Sequence, residues 1–525
     1  YSFKIRSMST TIKTPGKYID DLSAFSKSVV PVATAIPAFI GYTPRAEYKG
    51  VSCSNQPVKI TSLDDFESFF LLEKQPGKSS VQQYSPQFYF EKSRNGTLTI
   101  NGEAYQIKAD PNSIYYLYNA IKLFYQNGGG TAYVVSIGGY GGLSGSAIDV
   151  TEHQVNTNVE LSELQAGLAT LKSTEDVTMY VCPEATLLSV NENGTLMESM
   201  LLQASNMQTA ICIFDLIGGK NPTQTKYQQS VDQFKSKVGN EGLDYGTAYF
   251  PFVNTTLTSS YELDYTNFFG GDTAKLEVIV NPSDTPNNAL TQLFKDITNP
   301  TTRLSPIQIN NALINVSPDY KLMVKAALNE VNTLPASSGM AGVMATIDNT
   351  EGVWKAPANT SMVGVAKIPF ELTDEEQNYL NVDAVSGKSI NALRLFNGVG
   401  VMIWGARTLD GNSNDWKYLW VRRTMTFIEQ SLKVATKSYI FEPNEANTWR
   451  SVKSMLESFL TSIWKEGALQ GSKAADAFEV SIGLGSTMTA DDILNGIIRV
   501  SVKVAVTHPA EFIMTTFEQE QAKSS

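Results

Sequence analysis

Apolar and polar positions along the chain follow patterns that predict both strands and helices. An apolar run at 35–43 predicts a buried strand, and further strands are predicted at 131–137, 177–183 and 209–216. A stretch long enough for a helix separates the last two strands. Because strands that alternate with helices form parallel sheets, this part of the chain is predicted to be an α/β layer.

Helical spacing of apolar residues predicts two helices in the first third of the chain. Ser62 is the expected N-cap of a helix over 62–70, which has acidic residues in its first turn. Ser113 is the expected N-cap of a second helix, which ends at Asn127–Gly130. The strand at 131–137 then follows directly.

The C-terminal third has the clearest helical patterns. Residues 417–437 are expected to begin as a short strand and continue as a helix, and residues 444–467 form a second helix that Gly467 closes. The pair Asn495-Gly496 is typical of a hairpin turn. Alternating valines over 500–506 predict a half-buried strand after it.

Other segments lack such periodicity. Residues 138–170 and 217–375 are rich in Gly, Asn, Thr and Ser, and we expect loops and β-rich inserted parts there. The first 25 residues are polar with few large apolar anchors, so they are expected to form an arm rather than to fold alone. The β-prone run 510–517 is expected to be an edge strand without a partner in its own chain.

Composition narrows the class of protein. With 525 residues, 42% of them hydrophobic and 18% charged, the chain suits a soluble globular protein with several domains. Its net charge of -11 argues against general affinity for nucleic acid or for anionic membranes. No run approaches the ~20 apolar residues of a membrane helix. The N-terminus has no hydrophobic stretch of signal-peptide length, which predicts synthesis in the cytoplasm.

Few residues suit catalysis or metal binding. The only two histidines, His153 and His508, do not support a catalytic triad or a histidine-rich metal site. The three cysteines are far apart, so we expect buried thiols rather than disulfides. The glycine-rich run at 138–145 lacks the spacing of a phosphate cradle and is interpreted as a flexible loop. We therefore predict no catalytic residue, no cofactor and no metal site.

Two features suggest cations with a specific role. In GVGVMIWGARTLDG, residues 398–411, Arg407 follows an apolar strand, where an arginine needs a pairing group. Between Trp416 and Lys453 there are seven cations against three acids, an excess of four positive charges in an acidic chain. That stretch is either a solvated helix face or a patch directed at an acidic partner.

Eight segments together resemble the contractile tail sheath family, the sheaths of contractile phage tails and of phage-tail-like injection systems. In chain order they are KTPGKYIDDL (13–22), AFIGYT (38–43), LFYQNGGGTAYVVSI (123–137), PASSGMAGVMATIDNTEGVWKAPAN (335–359), INALRLFNGVGVMIWGARTL (390–409), WKYLWVRRTMTFIEQSL (416–432), YIFEPNEANTWRSVKSMLESFLTSIWKEGAL (439–469) and HPAEFI (508–513).

The resemblance implies a multidomain α/β (mixed α+β) protein with a conserved, tube-facing C-terminal α/β domain. The implied division has five parts: an N-terminal arm (1–25), the first part of the core or middle domain (26–137), middle and outer inserted domains, partly β-rich (138–370), the C-terminal sheath domain (371–507) and a C-terminal strand (508–525). Both end segments are expected to be exchanged with neighbouring subunits.

The function implied by the resemblance is structural. The chain would polymerise as stacked hexameric rings around an inner tube, bounded by a baseplate and a terminal cap, and contract to drive the tube through a target cell envelope. No nucleic acid contact, membrane insertion or enzymatic activity is implied. The particle is either a phage tail or a bacterial injection particle, extracellular ones included. Two alternatives stay open: a non-contractile capsid-like or binding module, and an α/β enzyme using the loop 138–145.

Site residues follow from the matched positions. The residues expected in the exchanged arms are Pro15, Gly16, Tyr18, Ile19, Glu511, Phe512 and Ile513. The candidates for contact with an acidic tube are Arg450, Lys453 and Lys465. The residues expected to form a structural motif in the C-terminal domain are Trp404, Gly405, Arg407, Arg422 and Arg423. Arg407 is expected to pair with a carboxylate or with carbonyl groups in its own domain, with a subunit contact as the alternative.

Overall fold

The computed structural model describes residues 28–73, 83–149, 153–299, 301, 304–381, 383 and 385–507. The strands described there are β1 (Pro37–Tyr42), β2 (Glu47–Tyr48), β3 (Val51–Ser52), β4 (Val58–Ile60), β5 (Phe88–Lys92), β6 (Leu98–Ile100), β7 (Glu103–Ala109), β8 (Ala132–Gly138), β9 (Ile148–Asp149), β10 (Met179–Val181), β11 (Ile211–Asp215), β12 (Gly246–Phe250), β13 (Val253–Thr255), β14 (Thr333–Leu334), β15 (Thr360–Ser361), β16 (Val365–Lys367), β17 (Asn391–Phe396), β18 (Gly400–Trp404), β19 (Phe478–Ile482) and β20 (Val500–Val504).

The α-helices of the same residues are α1 (Leu63–Phe70), α2 (Leu117–Gln126), α3 (Leu161–Thr170), α4 (Val190–Met207), α5 (Tyr227–Lys237), α6 (Thr273–Val280), α7 (Asn288–Thr298), α8 (Pro306–Val316), α9 (Pro318–Val331), α10 (Ser337–Thr350), α11 (Asp374–Asn381), α12 (Leu419–Thr436), α13 (Ala446–Lys465), α14 (Ala474–Ala477) and α15 (Ala490–Leu494).

The central sheet has nine of the described strands, in the order β15-β18-β17-β12-β11-β10-β1-β8-β4. Neighbouring strands from β17 to β8 run parallel, whereas β4, β18 and β15 are antiparallel to their neighbours at the two edges. The predicted runs 131–137, 177–183 and 209–216 form β8, β10 and β11. The prediction of a parallel α/β layer is therefore confirmed.

Both faces of the central sheet are covered. Because successive residues of a strand point to opposite faces, Ile40 of β1 lies in one core cluster and Phe39 in the other. On the second face the Phe39 ring packs against Phe124 of α2, with ring centroids 5.1 Å apart. A parallel sheet covered on both faces explains why the run 35–43 is apolar throughout instead of alternating.

The predicted helix starts in the first third were half right. The Ser62 side chain accepts a hydrogen bond from the Asp65 backbone N–H, which confirms it as the N-cap of α1. Ser113 does not cap α2, which begins four residues later, at Leu117. Its hydroxyl donates to the Asp110 carbonyl instead, and the buried Glu184 carboxylate accepts from the first amides of α2. A distant carboxylate has thus replaced the local cap.

The expectation of loops and β-rich parts over 138–170 and 217–375 was wrong where helices form, at α3 in the first segment and at α5 and α6–α10 in the second. Several small polar residues that suggested loops are helix caps. The side chains of Asn287, Ser305 and Ser317 accept hydrogen bonds from backbone amides at the starts of α7, α8 and α9. Because caps and loops favour the same residue types, composition alone did not separate them.

In the C-terminal third, α12 and α13 confirm the two predicted helices. The short strand expected before the first helix does not form, since Tyr418 makes only one bridge, to Arg407, before α12 begins. Asn495-Gly496 is not a hairpin turn: Asn495 caps the end of α15, and Gly496 has a φ of +70°. The valine-rich strand β20 is confirmed, but it pairs antiparallel with β19, which lies upstream of α15.

A separate core cluster holds the C-terminal part together. It is built from α12, α13, β19 and β20, together with Val353 and Ala406. The central sheet, by contrast, takes strands from β1 through β18, so it spans the predicted boundaries at 137/138 and 370/371. The division into five segments stays a prediction.

Candidate assembly surface

Helices α12 and α13 pack together through apolar faces. The rings of Phe427 and Phe459 meet across the pair with centroids 6.0 Å apart, and Leu456 and Leu460 are fully buried beside them. The regularly spaced apolar residues that predicted these helices are the residues that form this contact. The opposite face of α13 is exposed, whereas α12 is also buried on the side that carries Arg422 and Arg423.

Arg407 lies three residues after the end of β18 and is buried, with 8% of its surface exposed. Its Nη1 lies 3.5 Å from the Gly411 carbonyl oxygen. Its backbone is fixed by Asn391, whose Oδ1 accepts from the Arg407 N–H at 2.8 Å and whose Nδ2 donates to the Arg407 carbonyl at 2.9 Å. The arginine is held inside its own chain, and its role as a structural cation stays a prediction that this geometry supports.

The contacts of Trp404 and Gly405 explain why these two residues precede Arg407. Trp404 is the last residue of β18, is 40% exposed, and packs on the Phe396 ring of β17 at 4.7 Å. A Cβ on Gly405 would come within 2.8 Å of the Asn391 side-chain oxygen. Glycine is therefore needed where the backbone passes closest to the Asn391 side chain.

Arg422 is held by rings and carboxylates together. Its guanidinium lies 4.2 Å from the ring centroid of Trp416 and 4.7 Å from that of Tyr245. It also pairs with Glu429 at 3.2 Å and Asp244 at 3.5 Å. This buried cation joins α12 to the turn before β12, so it is a packing group and not a surface charge.

Arg423 forms the most enclosed ion pair described in the structure. Its Nη1 and Nη2 donate to the two carboxylate oxygens of Asp348 on α10, at 2.9 Å and 2.5 Å, and the side chains are 4% and 2% exposed. Nη2 also donates to the carbonyl of Thr34, ahead of β1. One arginine thus fastens the C-terminal helices to the central sheet at two points.

Two of the seven cations in the basic stretch are therefore internal. Arg450 and Lys453 of that stretch, and Lys465 beyond it, were predicted to face a tube. Arg450 is exposed and bonds only to its own helix, through the Ala446 carbonyl and Asn447. Lys453 pairs with Glu457 at 3.7 Å. Lys465 is exposed at the end of α13. The three lie within an arc of about 120° on α13, but Arg450 and Lys465 are about 22 Å apart along its axis.

Strands β19 and β20 form a sheet of two strands. Neither strand has a second strand partner among the described residues, so each keeps one open edge of backbone N–H and C=O groups. The predicted arm residues Pro15, Gly16, Tyr18, Ile19, Glu511, Phe512 and Ile513 all lie outside the described residues. Their proposed contacts stay predictions.

The described residues contain no cluster of three or more His, Cys, Asp or Glu side chains that suits a metal ion. The three cysteines are buried with free thiols, as predicted. The glycine-rich loop is tied down by polar contacts: Gly141 N–H donates to the Tyr115 hydroxyl, and Ser144 N–H donates to the Asp110 carboxylate. His153 bonds through Nε2 to the Thr186 carbonyl, and burial lowers its pKa. Among the described helices, none is long and apolar enough to span a bilayer.

Two buried carboxylates lie at the carboxyl edge of the central sheet. Glu184, just after β10, accepts from the Tyr116 and Leu117 amides at the start of α2, at 3.2 and 2.7 Å. Asp215, at the end of β11, accepts from the Ala336 and Ser337 amides at the start of α10. Burial raises the pKa of Glu184 to about 7 and that of Asp215 to about 6, although the amides act in the opposite direction.

Comparison with known families covers the C-terminal half of the chain. Residues 264–409 match the family model described as the phage tail sheath protein central domain, and residues 412–520 match that of the phage tail sheath C-terminal domain. The C-terminal half of this chain belongs to the tail sheath family. The resemblance drawn from the sequence segments is thereby confirmed.

Two curated tail sheath proteins are similar to parts of the chain. That of Vibrio phage KVP40 is 23% identical over 177 residues, which are 33% of this chain and 26% of the relative. That of Burkholderia phage BcepMu is 28% identical over 153 residues, 28% of this chain and 32% of the relative. The chain thus matches only about a quarter to a third of the length of either phage tail protein.

Solved structures extend the sheath fold over almost the whole chain. The sheath complex of the extracellular contractile injection system PVC, in its contracted state, is 22% identical with a TM-score of 0.56, covering 97% of this chain and 99% of that chain. The contracted helical sheath of the anti-feeding prophage is 22% identical with a TM-score of 0.56, covering 97% and 100%. The baseplate of that prophage in its contracted state includes a chain with a TM-score of 0.59 and 22% identity, covering 97% of each. The predicted mixed α/β, multidomain fold is confirmed.

The structure brings together only part of the predicted site. Gly405 and Arg407 lie against Asn391, whereas Trp404 packs on Phe396. Arg422 and Arg423 lie at the junction between α12 and the central sheet. Sequence reasoning missed Asn391 and Asp348, although both lie within segments that carried the family resemblance. Asn391 bonds to Arg407, 16 positions away, and Asp348 bonds to Arg423, 75 positions away. A single sequence does not reveal such pairs.

Proposed function

We propose that this chain is a structural subunit of a contractile sheath. It polymerises as stacked six-membered rings around an inner tube and contracts to drive that tube through a target cell envelope. The observation that carries the proposal is the match of residues 264–409 and 412–520 to sheath-family domains, together with a sheath fold over 97% of the chain.

Chain ends exchanged between subunits would join the rings. The open edges of β19 and β20 support this, because an added strand would find unpaired main-chain donors and acceptors there. Segments 1–25 and 508–525 are the proposed donors. Strand exchange lets subunits rotate without detaching, and many weak links make the lattice persistent.

The polar face of α13 is proposed to meet an acidic inner tube in the extended state. The exposed positions of Arg450 and Lys465, and the half-exposed position of Lys453, support this assignment. Because exposed charges are screened by salt, the contact should weaken as ionic strength rises. Reversing the charge of Lys453 and Lys465 together should reduce binding to tubes, and unchanged co-assembly with tubes would contradict the assignment.

The proposed activity is conformational and not chemical. The extended sheath is a kinetically trapped lattice, and contraction releases better packing between outer domains. The chain is accordingly proposed to have no enzymatic activity and to need no cofactor. It is also proposed to contact neither nucleic acid nor membrane, which its net charge of -11 supports. Baseplate and terminal cap proteins are the further proposed partners. Synthesis in the cytoplasm, for a phage tail or a bacterial injection particle, completes the proposal.

Imaging of the purified full chain tests the function. Striated tubes or wide hollow sleeves in negative stain are expected. Chains lacking residues 8–22 or 508–525 should stay folded, by circular dichroism, but should not polymerise. A soluble monomer whose melting temperature shifts with a small ligand would favour the α/β enzyme instead, and small closed shells would favour a capsid-like module.

A further inference from the structure

The connection between α12 and α13 contains a tight turn with an unusual residue in it. The Glu442 N–H donates to the Tyr439 carbonyl at 3.1 Å, which closes a four-residue turn. Its central residues are Ile440, with φ -64° and ψ 129°, and Phe441, with φ +74°. These are the angles of a type II turn, whose third position favours glycine because an L-residue is strained there.

The Phe441 side chain makes no packing contact with the described part of its own chain that would offset this backbone strain. It is as exposed as an isolated residue, at 102%, and Ile440 beside it is 61% exposed. Asn444 Nδ2 donates to the Ile497 carbonyl, which ties this turn to the loop between α15 and β20. Leu494 in that region is 83% exposed. Strained backbone that displays apolar side chains to solvent is typical of a contact made with another molecule.

We propose that the Phe441 turn, residues 439–442, is a hydrophobic anchor that inserts into a second copy of this chain. This inference rests on the proposed sheath function and assigns one sheath–sheath contact within it. The turn is linked through Asn444 to the loop that leads into β20, so it adjoins the edge at which strand exchange is proposed. A protrusion on one copy and a recess elsewhere on the next form a heterologous contact, which builds rings or helices.

The chain itself carries a recess that suits this anchor. A groove of about 670 Å³ runs along α13, with an apolar floor and serine hydroxyls on its wall. Arg450 lies on its lining, so in this assignment it contacts a neighbouring copy, and Lys453 and Lys465 are the cations left for the tube. Val29, Met455 and Phe459 supply apolar surface, and Ser454 and Ser458 supply hydroxyl groups. The groove offers an apolar site for an aromatic ring with a cation beside it.

Charge favours a second copy over an acidic tube as the partner. Glu442 and Glu445 flank Phe441, and neither takes part in an ion pair among the described residues. An acidic partner would repel them, whereas Arg450 of another copy would attract Glu442. The turn does not occupy the groove of its own chain, since Phe441 is fully exposed and is not among the residues that line the groove.

The variant Phe441→Gly separates an anchor from a folding role. Glycine relieves the strained φ, so the melting temperature of the unassembled chain should stay equal or rise. Because a buried aromatic anchor dominates an interface, the chain concentration at half assembly, measured by sedimentation without tube protein, should rise at least about tenfold. Val278→Ala, which trims an apolar side chain that is 71% exposed on α6, is the matched control and should change neither value.

Charge exchange tests the groove. Glu442→Arg and Arg450→Glu should each weaken tube-free assembly, and the double variant should restore it. Absence of rescue, or unchanged tube-free assembly of Phe441→Gly, would overturn the inference. Weakened binding to tubes with normal tube-free sleeves would overturn it as well and would assign the turn to the tube. Failure of the unmodified chain to form sleeves would contradict the proposed function itself.

Discussion

The central sheet and the C-terminal β19–β20 sheet differ in how their edges and faces are covered. The central sheet surrounds its parallel strands with antiparallel edge strands and covers both faces with helices. The C-terminal sheet has two strands, each half-buried, and both outer edges are open among the described residues. The difference indicates which part of the chain is complete alone and which part suits completion by neighbours.

Buried polar groups show the same contrast. In and around the central sheet they hold segments together over long sequence distances, as Glu184, Asp215 and the Arg423–Asp348 pair do. Around β19–β20 the ion pairs are exposed, as in Lys503–Glu479, whose side chains are 74% and 60% exposed. A buried pair is costly to break, whereas an exposed pair contributes little.

The largest expected effect comes from breaking the junction between the two regions. Asp348→Ala leaves the Arg423 guanidinium buried without a counter-charge, so the free energy of unfolding should fall by about 3–5 kcal/mol. Denaturant unfolding followed by circular dichroism measures it. Lys503→Ala in the exposed pair is the control and should cause no measurable change. Equal losses in both variants would contradict the contrast.

A smaller loss of stability is expected when Asn391, which fixes the backbone of Arg407, is replaced. Asn391 is 1% exposed, and its amide bonds to Thr247, Ala248 and Arg407. Asn391→Ala leaves several buried groups without partners and should reduce the free energy of unfolding by about 2–4 kcal/mol. Because the position is internal, the assembly of the folded fraction should be unchanged. Normal unfolding with lost assembly would instead indicate that Arg407 belongs to a subunit contact.

A pH-dependent effect of about 2 kcal/mol between pH 5 and 7.5 is expected at Glu184. The pKa of the Glu184 carboxyl is about 7 in the folded chain, against an ordinary value of 4.5. Between pH 4.5 and 7 the folded chain therefore holds a proton that the unfolded chain has released. Stability from this group therefore increases as the pH falls below 7 and is lost as the pH rises through 7. Glu184→Gln should flatten the melting temperature between pH 5 and 7.5 relative to the unmodified chain. An identical pH profile would show that the carboxylate is not desolvated.

Much of the central sheet followed from sequence alone, because its strands are apolar on both faces and separated by helix-length segments. The start of α2 did not follow, since its cap, Glu184, is 67 residues from Leu117 along the chain. The face of α13 was predicted from helical periodicity, which places Arg450 and Lys465 outside and Phe459 inside. The Phe441 turn was missed because the sequence gives no sign that a phenylalanine adopts a positive φ, where glycine is the usual residue.

Hydrogen–deuterium exchange at the open edges tests the central claim most directly. Peptides covering β19 and β20 would be compared between assembled full-length chains and folded chains that lack residues 508–525. If neighbouring copies complete the sheet, the outer-edge amides of 478–482 and 500–504 should exchange at least about tenfold more slowly in the assembled state, while β1 stays equally protected in both. Sleeves that form with no added protection of β19 and β20 would contradict the account.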